Sequence, residues 1–329
     1  MSRAWLSLSR GMLLTALLSP ALPGTALAQA PAKYAERTVR LVVPFSPGGA
    51  TDNAARLLAG ELSTALGVQV VVDNRPGANG AIAAESVARS VPDGTTLFAA
   101  TNTPMAANPY LYKKLPYDAL QAFTPIARVA VVPYVLIVGS DLKVGSLGEL
   151  LALARREPGR LSYATGAATG TVAGEALKHA AGVDILQVPY KSNPPALTDV
   201  ISGRVSMMFT DIVSVIGQIQ AGKVKALAVT TPKRTAMLPE VPTLGELGVK
   251  GMEIYGWSAI YAPVKTPAPQ VARLVEEMRK ILARPDVLQR ITALGLEPAP
   301  GGPEELAAFH RADLAKWERL VKDAAIVPE

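Results

Sequence analysis

The chain has 329 residues, a formal net charge of +6 and no cysteine. That excludes disulfides, thiol nucleophiles and cysteine-ligated metals. The basic excess is dispersed, with only isolated pairs such as Lys113-Lys114 and Arg155-Arg156, so it fits tolerance of acidic partners rather than nucleic-acid binding. Hydrophobic residues make up 49 % of a chain long enough for two lobes, which points to an α/β protein with a sizeable core.

Arg3 and Arg10 precede an apolar stretch over 11–22, and Ala26-Leu27-Ala28 has the small-x-small form of a cleavage site. The apolar stretch is too short to span a bilayer comfortably, so residues 1–28 are expected to be a secretory signal peptide cut after Ala28, with Ala30 as the second choice. Loss of Arg3 and Arg10 leaves +4 on the mature chain. The chain is therefore expected to be exported from the cytoplasm.

A β-branched apolar run over 39–45 predicts a buried strand. Phe45-Ser46-Pro47-Gly48-Gly49-Ala50-Thr51-Asp52 follows, and then Ala54, Leu58, Leu62 and Leu66 recur at helical spacing as far as Gly67. A strand, glycine loop and helix place unpaired backbone N–H groups where an anion can approach them. The next strand, 68–72, requires a crossover and hence parallel pairing. A turn-rich loop over 74–80, a helix over 81–90 and a strand over 95–100 follow. That strand ends in Thr101-Asn102-Thr103-Pro104, at the carboxyl edge where ligands gather in open α/β sheets. Residues 110–118 read as a proline-broken surface segment.

The long apolar run 129–138 predicts a strand crossing into a second lobe. A helix over 147–156, a strand over 161–164, the small polar loop 165–171 and a helix through Lys178 then repeat the strand–loop–helix unit of the first lobe. Strands at 185–189, 205–209 and 226–230 alternate with helices at 196–202 and 213–221, the doubly wound pattern. Tyr190-Lys191-Ser192 and Thr210-Asp211 stand at strand ends. The run 254–262 predicts the return crossing, and helices are expected over 268–283, 286–294 and 303–323, the last packing back on the first lobe. The expected lobes are 31–131 with 255–329, and 132–254.

Catalytic motifs are missing. There is no His-Glu-x-x-His, Gly-x-Ser-x-Gly or phosphate-loop pattern, and Gly77-Ala78-Asn79-Gly80 lacks dinucleotide-loop spacing. The chain's two histidines, His179 and His310, sit inside helical patterns and read as packed or solvated. The inventory favours binding over catalysis, with no metal or cofactor.

Several ordered motifs carry a family resemblance: residues 44–52, 71–80, Pro92-Asp93-Gly94 with Thr95-Thr96-Leu97, 108–118, Val188-Pro189-Tyr190-Lys191, 195–199, 226–230 and the helix with Lys316-Trp317. Together they resemble the tripartite tricarboxylate transporter receptors, the Bug-type extracytoplasmic solute-binding proteins, over essentially the whole mature chain. The resemblance implies a two-lobed periplasmic-binding-protein (Venus-flytrap) fold, each lobe a doubly wound mixed sheet flanked by helices, joined by two crossing strands. It also implies capture of a small organic carboxylate by loops matching 45–52 and 163–171, and delivery to integral-membrane permease subunits. One departure stands out. The second-lobe loop is shorter than the family's Ser/Gly-rich form, with Thr171-Val172 where a His-Leu pair is usual, so a bulkier or more apolar solute is the expectation.

The expected ligand contacts are Phe45, Ser46, Gly48, Gly49, Ala50, Thr51 and Asp52 from the first loop, and Asn102 and Thr103 from the third strand end. The second lobe adds Thr165, Gly166, Ala167, Thr169, Thr171, Lys191, Thr210 and Asp211. Asp52 reads first as a helix cap, Asp211 as either cap or ligand contact. A monomer is expected, without nucleic acid. A sensor kinase as docking partner, and an α/β enzyme acting on an anionic substrate, are the alternative readings.

Overall fold

The computed structural model describes residues 37–328, so the signal-peptide reading lies outside the described residues. The described residues all belong to one compact unit. Within it stand a six-stranded and a five-stranded mixed sheet, both flanked by helices.

The first sheet begins with β1 (Val39–Val43), followed by α1 (Ala50–Leu66), β2 (Val70–Asn74), α2 (Ala81–Ala88) and β3 (Thr96–Thr101). β1 pairs in parallel with both β2 and β3, as the short crossovers require. The apolar stripe of α1 puts Ala54, Leu58 and Leu62 into the core, and Gly67 closes the helix in the left-handed region. A buried π-turn (Thr103–Ala107) runs into the one-turn helix α3 (Asn108–Leu111). The surface segment that follows is pinned by Tyr117, which is buried and donates to the Pro104 carbonyl at 2.7 Å.

The expected strand over 129–138 is two strands, β4 (Phe123–Val132) and β5 (Tyr134–Gly139). Pro133 separates them because it has no N–H for a ladder, and its carbonyl accepts from Ile212 of the second sheet. The second sheet continues with α4 (Leu147–Arg156), β6 (Ser162–Thr165), α5 (Ala168–Ala181), β7 (Leu186–Pro189), α6 (Asn193–Ile201), β8 (Met207–Asp211), α7 (Ile212–Gln220) and β9 (Val224–Val229). Its order is β7-β6-β8-β5-β9, with β5 antiparallel to β8 and β9.

Residues 230–255 return the chain to the first sheet, where β10 (Gly256–Pro263) runs antiparallel between β3 and β4. Then come α8 (Ala268–Leu282), α9 (Pro285–Ala293), β11 (Glu297–Gly301) and α10 (Pro303–Asp323). β11 is an edge strand on β4 that the sequence reading omitted; its Glu-Pro-Ala-Pro-Gly composition carries none of the usual strand signal. α10 packs against β4 and the π-turn, burying Leu314, Trp317 and Val321.

Candidate functional site

The carboxyl ends of β1, β3, β6 and β8 meet at one cavity of ≈ 40 Å³ between the sheets. By volume that is room for about three waters.

On the first side stands the loop between β1 and α1. Gly48 adopts φ +91, a conformation that disfavours any side chain, and its N–H donates to Asp52 Oδ2 at 3.0 Å. The loop's second glycine, Gly49, is the N-cap of α1 and has no side chain to offer, so the first-turn N–H groups of Ala50 and Thr51 stay open toward the cavity. Asp52 is buried beneath them. Burial would raise its carboxyl, but hydrogen bonds from Arg56 Nε at 2.9 Å, Gly48 N and Asn74 Nδ2 at 3.0 Å overcome that and hold it below the usual range. Asn74 also donates to the Phe45 carbonyl at 2.9 Å, so one residue of the 74–80 loop ties both ends of the glycine loop together.

On the second side, α5 begins at Ala168 after an extended Ala167 that has no side-chain cap, which leaves the amides of Ala168 and Thr169 open. Gly166 admits no larger residue. A Cβ there would lie 2.2 Å from the Ser192 carbonyl carbon, so the loop after β6 lies directly on the start of α6. Ser192 is the N-cap of α6, fully buried, and its hydroxyl has no hydrogen-bond partner among the described residues. Pro194 and Pro195 remove two N–H groups from the first turn of α6. α7 is capped by its own Asp211, whose Oδ1 accepts from Ser214 N at 2.9 Å while Oδ2 accepts from Asn193 Nδ2 at 2.7 Å.

The sides touch directly. Asn102 Nδ2 donates to Thr169 Oγ1 at 2.7 Å, and Asn102 Oδ1 accepts from Trp257 N at 3.4 Å. Tyr134, at the start of β5, is buried against Asp211, with Thr169 and Asn193 in hydrogen-bonding reach; burial first, and then Asp211, pushes its phenol well up. Below the cavity, Asp313 of α10 accepts from the indoles of Trp257 at 2.6 Å and Trp317 at 3.1 Å. His310 Nε2 meets the Met105 carbonyl at 2.8 Å and so holds the π-turn.

Among the sequence-derived candidates, Phe45, Ser46, Gly49, Ala50, Thr51, Asp52, Asn102, Thr103, Gly166, Ala167 and Asp211 line this cavity. Thr169 stands just outside it, on Asn102. Gly48 and Thr210 do not line it. Thr165, Thr171 and Lys191 border a separate, larger cavity of ≈ 640 Å³ beside Tyr112 and Ile326. The reading missed Thr101, Val132, Tyr134, Ser192, Asn193, Pro194, Gly256 and Trp257. Ser192 belonged to the strand-end group Tyr190-Lys191-Ser192, of which only Lys191 was carried forward as a ligand contact, and Asn193 follows it directly; Tyr134 and Trp257 come from segments read as crossing strands. Among the described residues, no Lys, Arg or His lines the cavity. The arrangement offers backbone amides, hydroxyls and the two carboxylates of Asp52 and Asp211, the amides and hydroxyls being suited to holding an anion without a countercharge.

The family model for tripartite tricarboxylate transporter family receptors matches residues 54–326. The R. palustris Rpa4515 structure with adipate is 38 % identical, with a TM-score of 0.86 over 89 % of this chain and 99 % of that one. The periplasmic binding protein BugD is 36 % identical, with a TM-score of 0.86 over 90 % and 100 %. MatC from Rhodopseudomonas palustris with bound malate is 32 % identical, with a TM-score of 0.81 over 87 % and 99 %.

Proposed function

Because the chain belongs to the tripartite tricarboxylate transporter receptor family, a family of periplasmic solute-binding proteins and not of enzymes, we propose that it captures a small organic carboxylate and delivers it to a membrane transporter. The observation that carries the reading is the meeting of the uncapped N-termini of α1 and α5 across one cavity that, among the described residues, has no cationic side chain in its lining. The carboxylate takes its hydrogen bonds from the amides of Ala50, Thr51 and Ala168, with Ser46 and Thr103 beside them. Structural relatives with adipate and malate support the same ligand class.

The lobes, 31–131 with 255–329 and 132–254, close on the guest about Pro133 and the 230–255 return, and contacts to both sides favour the closed state. The receptor works as a monomer in the periplasm, released by cleavage after Ala28, and hands its guest to the integral permease subunits. Calorimetric titration with organic acids and their neutral amides tests the binding step. The acids should bind at least about tenfold tighter than the amides; equal or tighter binding of the amides would overturn it. Delivery is tested by adding the loaded receptor back to receptor-depleted spheroplasts, where uptake of the labelled acid should resume.

A further inference from the structure

One wall of the cavity is at odds with a guest that is acidic throughout. Asp211 is 4 % exposed, lines the cavity and has no ion-pair partner among the described residues. Asp52, the other carboxylate in the lining, is balanced by Arg56 and has its oxygens engaged by Gly48, Arg56 and Asn74. Each Asp211 oxygen accepts a single hydrogen bond, from Ser214 N or from Asn193 Nδ2, and with the Tyr134 phenol as a further polar neighbour the carboxylate keeps acceptor capacity to spare. A buried carboxylate without a countercharge is costly unless further donors reach it.

Donors with no partner stand on the same cavity. Ser192 Oγ is fully buried and Thr101 Oγ1 belongs to a residue 5 % exposed; both residues line the cavity and neither hydroxyl has a hydrogen-bond partner among the described residues. The seat therefore has donors for one carboxylate and an acceptor for something else.

Resting on the receptor reading above, we propose that Asp211 is a specificity-determining residue that selects carboxylates bearing a hydroxyl or ammonium group over plain dicarboxylates. The guest's carboxylate takes the open amides and the Thr101 and Ser192 hydroxyls. Its hydroxyl or ammonium donates to Asp211. A plain diacid brings a second carboxylate against Asp211, where like charges repel and neither has a donor to offer.

The test is calorimetry of the full mature receptor with matched sets: propionate, lactate and alanine; succinate, malate and aspartate; glutarate and glutamate. The substituted acids should bind tighter than their plain parents by about tenfold or more, because a site built to receive a donor rejects the analogue lacking it. Asp211→Asn keeps an N-cap oxygen for Ser214 N and should fold. It should narrow the ratio to within about threefold by gaining affinity for the plain acids. Asp211→Ser, another N-cap residue, gives the same readout should the first variant melt. Plain parents that bind as well as the substituted acids to the wild type, or a ratio unchanged in both variants, would overturn the assignment while leaving carboxylate capture intact. Failure of every acid to bind would remove the receptor reading and this one with it.

Discussion

At the scale of single residues, the site is assembled by side chains that serve the backbone. Asp52 does not face a countercharge on a ligand; it gathers Gly48, Asn74 and Arg56 and so fixes the curve of the glycine loop. Its folded carboxyl is depressed, so its contribution is present above about pH 3.9, the unfolded value, and is lost as pH falls through the folded value. Asp52→Asn should therefore cost about 1–3 kcal/mol at pH 7, and the gap to wild type should shrink near pH 3. Urea midpoints at the two pH values measure this, and an equal gap at both would contradict the role. Asn102 and Thr169 form a buried bond across the cleft. In a double-mutant cycle, Asn102→Ala and Thr169→Val should show a coupling of about 0.5–1.5 kcal/mol in ligand binding. Additive effects would mean that the bond plays no part in closure.

At the scale of elements, helix starts and sheet crossings set the geometry, and α10 supports it from below. The strand–glycine loop–helix unit at 39–66 was legible because hydrophobic period and loop composition change within a few residues of each other. α4 and α10 were legible to their ends, with Ser146 accepting from Glu149 N at the first and Pro303 opening the second. The break at Pro133 was missed because both strands are apolar and run together in sequence. β11 was missed because an edge strand built from Pro and Gly is held by its neighbour rather than by its own propensity. Trp257 became part of the site only through the packing of β10, which a linear pattern does not reveal, whereas Ser192 and Asn193 directly follow a strand end that the pattern does mark. His310 links α10 to the π-turn. Burial depresses its imidazole below 6.5, against the opposing influences of Met105 and Asp313. The unfolded chain binds more protons between the folded value and 6.5, so stability falls as pH falls through that window. His310→Gln should flatten this slope in urea midpoints taken between pH 5 and pH 7; an unchanged slope would place the proton uptake elsewhere.

At the scale of the whole molecule, each sheet ends on one side in helix starts whose dipoles point at a shared cavity. Sheets of this kind keep their polar loops at the carboxyl edge of the strands, so bringing two such edges together makes a seat for an anion with no lysine or arginine among the described residues of its wall. Closure then depends on the guest, because the contacts that join the sides are few and a bound anion adds one set to each. A guest at 100 times its dissociation constant should add about 2.7 kcal/mol to stability. The most direct measurement is a crystal structure of the receptor with its tightest organic acid. The account predicts the carboxylate between the starts of α1 and α5, with its oxygens about 3 Å from the backbone nitrogens of Ala50, Thr51 or Ala168. A carboxylate found instead in the larger cavity beside Thr171, paired with Lys191, would contradict it.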